Sequence, residues 1–244
     1  MNLLIKSTQS VGNMPEKNVS SAAPARVSGD VITDAMSRFT GRIISLFVHE
    51  INNHLATLRE SSGLGDDIMH ARTLSATEKL KELETLIPAI EDRVGHASSL
   101  VRIFGDFGSH MEDPGDSMDI NLAIEGLHPF FSKIARQNNL SIQSVYGRNL
   151  PAVRGSFPLM QCLLFAIFEN LCASLVPQTA VRISTEKTAS SIMVSLTPDR
   201  ASAAVCGKAP WPEKTIEAVA AAAAADIDQP QEGGEVSVRI DIST

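Results

Sequence analysis

Histidine, glutamate and asparagine stand together in "FVHEINNHLA", residues 47–56, inside a run of helical periodicity. On a wheel turning about 100° per residue, Ile44, Phe47, Val48, Ile51, Leu55 and Leu58 form one apolar seam. His49 and Asn53 fall about 160° from Ile51, on the solvent side, which counts against a core histidine. Neutral imidazole is a nucleophile at cellular pH. Beside it, the Glu50 carboxylate would take the ring's second proton, and the Asn53 amide one turn on would hold a phosphoryl oxygen. Phosphoryl transfer asks mostly for positioning and charge neutralisation, so one exposed histidine suffices. The plainer alternatives are an ordinary surface histidine, or two surface polar residues that happen to stand at i and i+4.

The elements that must position this set follow from the pattern. A long amphipathic helix is predicted over residues 31–69. Ser75 followed by Glu78 is a capping-box signature that opens a second helix over 77–107, with Pro88 inside it expected to cause a kink. Two long helices joined by a few residues make an antiparallel hairpin. The apolar surface that the hairpin leaves over calls for a partner, and a dimeric four-helix bundle supplies one. Beyond the polar "MEDPGDSMD", short apolar alternations at "LSIQSVYG", "AVRISTEK", "SIMVSLT" and "EVSVRIDI" read as strands. Helices are expected between them over 121–137, 157–175 and the alanine-rich "EKTIEAVAAAAAADI", with Pro129 kinking or starting one. The fold class is therefore α+β: a long helical hairpin, then an α/β sandwich. The domain scheme is a flexible tail at 1–29, the hairpin at 30–111, a linker at 112–118 and the α/β domain at 119–244.

Composition sets outer limits. The 244 residues carry a formal charge of -7 and no Lys/Arg run, which argues against a nucleic-acid surface. Cys162, Cys172 and Cys206 are odd in number and form no CxxC, so reduced thiols in a cytoplasmic setting are expected. The apolar run at the start is too short for a signal-peptide core, and no membrane helix is expected. His54, His70, His96, His110 and His128 show no metal-ligand spacing with Cys or carboxylates, so no metal site is assigned; His54 sits at the seam's edge and reads as packing.

His49, Glu50, Ile51, Asn52, Asn53, His54 and Leu55 resemble the H-box of two-component sensor histidine kinases, His-Glu-(apolar)-x-(Asn/Thr)-Pro-(Leu), with His54 in place of the proline. "LIPAIEDRVGHASSLVRIFGDF" resembles the second helix of that family's dimerisation and phosphotransfer hairpin. "INLAIEGLHPFFSKIARQNNLSIQ", "LPAVRGSFPLMQCLLFAIFENLCASL" and "GGEVSVRIDI" are similar to parts of its ATP-binding fold. The resemblance implies a magnesium-ligating role for Asn170, the one cofactor-binding candidate. The earlier asparagine of that box falls on Ala166, and Ser156 stands where aspartate is common. The family's glycine-rich nucleotide loops are missing: "TPDRASAAVCGKAPWP" contains Asp199 but no glycine at either required place, and Gly233 and Gly234 follow the last helix.

A retained phosphoacceptor with a degenerate nucleotide domain resembles the histidine phosphotransferases of the ChpT type. The resemblance implies a dimer in which His49 accepts phosphate from one response-regulator receiver domain and gives it to another. The receiver would supply magnesium, so no resident cofactor is needed. The alternatives are a sensor histidine kinase with a divergent ATP site, and a non-catalytic pseudokinase scaffold that binds a response regulator.

Overall fold

A computed structural model describes residues 29–112, 115, 117–199, 209–228 and 238–243. Helices α1 (Gly29–His70) and α2 (Ala76–Glu112) form the antiparallel hairpin. Their turn is closed by the expected capping box: the Ser75 backbone N–H donates to Glu78 Oε2 at 2.8 Å, and the Glu78 N–H donates back to Ser75 Oγ at 3.3 Å. Helix α2 runs unbroken through Pro88, which lies on an exposed side where water can serve the freed carbonyl.

The second domain follows as β1 (Ser117–Met118), α3 (Ile120–Gln137), β2 (Ser141–Val145), β3 (Val153–Arg154), α4 (Phe157–Ser174), β4 (Ala180–Lys187), β5 (Ser191–Pro198), α5 (Glu213–Ala222), β6 (Ala225–Asp228) and β7 (Val238–Ser243). The main sheet has the order β2-β4-β5-β7-β6, with β2 parallel to β4 and the remaining pairs antiparallel; β1 and β3 form a separate antiparallel pair. Val181, Ile183, Ile192, Val194 and Leu196 alternate along β4 and β5 and enter one core with α3 and α4. This is the mixed α/β sheet domain after a helical hairpin that the sequence pattern describes.

Two local expectations are corrected. Pro129 lies in the interior of α3 and does not start it. The alanine-rich helix stops at Ala222 and does not continue through 227. Ala224 turns with φ +53°, and Ala225–Asp228 pairs with β7 as a strand, so sheet hydrogen bonds override alanine's helix propensity. Among the described helices, α4 is long and apolar enough by length and composition to cross a membrane, yet most of it is buried in the fold.

The two domains share α1. Its side at Ala35, Phe39, Ile43 and Leu46 is buried, and Phe39 meets Phe107 of α2 at 5.6 Å and Phe165 of α4 at 5.4 Å between ring centroids. The seam is divided. Phe47 stacks on Phe104 at 4.1 Å, whereas Ile44, Val48 and Leu55 stay 43%, 46% and 54% exposed. On α2, Leu80, Ile87, Val94 and Val101, at every seventh position, are also open to solvent.

Candidate functional site

His49 and Asn53 are exposed on α1, and the Asn53 side-chain nitrogen is 3.1 Å from His49 Nδ1. The pair is i and i+4, so the helix alone sets this distance. As placed, the amide nitrogen donates to Nδ1; with the amide flipped, its oxygen would accept from Nδ1–H and leave the lone pair on Nε2, the ring nitrogen a phosphoryl group would meet. Nε2 has no partner among the described residues.

Glu50 does not join them. It lies against α3, where Lys133 Nζ is 2.8 Å from Oε2 and Arg136 Nη2 is 2.9 Å from Oε1. Burial pushes this carboxyl up, but the hydrogen bonds and charges of Lys133 and Arg136 outweigh it and hold the group below its ordinary range. Glu50 therefore fastens the second domain to the hairpin beside the histidine. The structure brings together two of the three residues of the candidate set and gives the third a domain-joining contact.

Asn170 faces Trp211. Its Nδ2 donates to the Trp211 carbonyl at 2.9 Å, and its Oδ1 accepts from the Trp211 backbone N–H at 2.8 Å. Trp211 is 1% exposed, and its indole Nε1–H donates to Glu169 Oε2 at 2.8 Å. The other oxygen of Glu169 accepts from Arg42 Nε at 2.8 Å. Arg38 completes the cluster: its guanidinium stands 4.6 Å from the Trp211 ring centroid and donates to the Pro210 carbonyl. Asn170, Glu169 and Trp211 thus form a closed polar network with two arginines of α1. Both ends of the Asn170 amide and both Glu169 oxygens are engaged within the protein, one bond at each atom.

Asp199 is likewise engaged in the backbone: its carboxylate accepts from the Ala180 N–H at 2.9 Å, next to the start of the β4–β5 ladder. Ala166 is buried within α4, and Ser156 precedes that helix as its N-cap residue without a side-chain capping bond. Gly233, Gly234 and Cys206 lie outside the described residues. The roles of Arg38, Arg42, Lys133 and Arg136 escape sequence reasoning, because each acts across the domain boundary on a partner far away in the chain.

No family model matches the chain, and no curated protein sequence matches it. Among solved structures it is similar to the histidine kinase AdeS of Acinetobacter baumannii, at 15% identity over 80% of this chain and 97% of that one, with a TM-score of 0.41. It is also similar to a bacterial phosphotransferase at 10% identity, covering 83% and 95% of the two chains with a TM-score of 0.44. A histidine kinase from Burkholderia phymatum matches at 9% identity over 84% and 97%, with a TM-score of 0.43. What this chain does is therefore read from its own residues.

Proposed function

We propose that this chain is a cytoplasmic histidine phosphotransfer protein of the two-component type, with His49 as the phosphoacceptor. The observation that carries this reading is an exposed histidine on the hairpin's first helix whose Nδ1 is already held by Asn53. The Nε2 lone pair attacks the phosphorus of a receiver's aspartyl phosphate. The P–N bond forms as the P–O bond to the aspartate breaks, and the electron pair leaves with the carboxylate. Transfer onward reverses these steps: a receiver carboxylate attacks, and the P–N bond breaks. Asn53 holds the Nδ1 proton throughout, so the ring keeps one tautomer.

The receiver's acidic pocket supplies magnesium in this reading, and ATP takes no part. The Asn170 amide, held at both ends by the Trp211 backbone, supports that division of labour. The protein works as a homodimer, joined through the open apolar rows at Ile44, Val48 and Leu55 on α1 and at Leu80, Ile87, Val94 and Val101 on α2.

A non-catalytic scaffold for a response regulator is favoured by one observation: Lys133 and Arg136 hold Glu50 away from service as a proton acceptor. Labelled, phosphorylated receiver domains mixed with wild type and with His49→Ala decide between the two. Label that reaches the wild type alone establishes transfer, and label that reaches neither establishes the scaffold. Label arriving from ATP and magnesium would instead make the chain a kinase.

A further inference from the structure

Beside Glu50, the junction of α1, α2 and α3 encloses a cleft of about 340 Å³. We propose that this cleft binds a small phosphate-bearing anion. Its walls offer hydrogen-bond donors: Arg93, Ser99 and His96 from α2, His54 from α1, and Ser132 and Arg136 from α3. The acid among the lining residues, Glu50, already has its charge met by Lys133 and Arg136. Arg93 has no ion-pair or hydrogen-bond partner among the described residues, so its five N–H groups are available.

The two imidazoles face one another with ring centroids 6.2 Å apart, and Asp92 stands 3.3 Å from Nδ1 of His96, fixing that ring from outside the cleft. With Glu50 answered by Lys133 and Arg136, Arg93 leaves the donor-lined cleft with an unanswered positive charge that an anion would match. The volume suits a phosphate group with a small organic body. Because three helices from both domains line the cleft, an occupant would bridge the hairpin to the second domain. His49 and Asn53 are not among the lining residues, so the site is separate from the phosphotransfer pair.

The test uses the full chain carrying His49→Ala, which keeps the outcome independent of phosphotransfer. Inorganic phosphate and glycerol phosphate are titrated against sodium chloride at matched ionic strength, with thermal unfolding and calorimetry as readouts. We expect a saturable rise in Tm that Arg93→Ala and His54→Asn each weaken on the order of tenfold in apparent affinity. Arg59→Ala, an exposed arginine of α1 outside the cleft, should leave it unchanged. Tighter binding of glycerol phosphate assigns a phosphomonoester, and tighter binding of inorganic phosphate assigns the free ion. A rise shared equally by all variants, or one that never saturates, overturns the proposal. Arg93 is exposed, so loss of fold does not confuse its result.

Discussion

Glu50 and Lys133 meet at 2.8 Å across the boundary between the hairpin and the second domain. Both side chains are largely shielded, at 20% and 13% exposure, so the pair is worth more than a solvent-exposed one. Glu50→Gln removes the charge that Lys133 and Arg136 share. A loss on the order of 1–2 kcal/mol is expected in urea unfolding. The carboxyl titrates below its unfolded value, so its contribution is present above that value and disappears as pH falls through the folded one. The wild-type advantage over Glu50→Gln should therefore be full at neutral pH and vanish in acid.

For His49 and Asn53, the proposed phosphotransfer pair, the expected changes are chemical and not structural. His49→Ala should abolish uptake of label from phosphorylated receivers. Asn53→Ala should slow it on the order of tenfold to a hundredfold, through loss of ring orientation. Both residues are exposed, so neither variant should move the Tm by more than a degree or two, on the order of what surface changes do.

Trp211 is the sole tryptophan of the sequence, which makes its fluorescence a direct reporter of the cluster it fills. Trp211→Ala should cost about 3–5 kcal/mol in chemical unfolding, because a nearly sealed ring is deleted and Glu169 and Asn170 lose partners. Addition of ATP with magnesium to wild type should leave emission intensity and wavelength unchanged. A saturable change would show that nucleotide displaces the indole.

Replacing Val94 and Val101 together by Asp places charge in the exposed heptad row of α2. Sedimentation should then report a monomer, with the helical signal retained, whereas wild type is expected to sediment as a dimer.

Burial pushes the thiols of Cys162 and Cys172 up to about 12. Iodoacetamide at mildly alkaline pH should leave both peptides unmodified in the native protein and modify both after unfolding, as read by peptide mapping.

The helical period sets His49 and Asn53 one turn apart on one face, which is what brings their side chains within 3.1 Å. It did not reveal where Glu50 points. The same wheel sets Glu50 at about -100° from Ile51, between Ile43 at about -80° and Phe39 at about -120°. That side is buried only once α3 and α4 arrive, and no hairpin-level pattern announces them. Asn170 shows the reverse limit. The resemblance suggested a metal ligand from its place in α4, whereas its partner is a backbone segment some forty residues later that no spacing rule connects to it. The strand at Ala225–Asp228 was hidden by alanine, whose propensity speaks for helix until β7 offers hydrogen bonds.

Phe39 makes the first turns of α1 part of the second domain's interior. Grafting a hairpin from another chain at the linker would replace the helix that carries His49 and set an unfamiliar surface against Phe165 and Trp211. Partner choice in such chimeras would be confounded by a broken joint. The smallest portable unit is therefore the hairpin together with the whole second domain, and changes aimed at the proposed partner are best confined to the open face around His49.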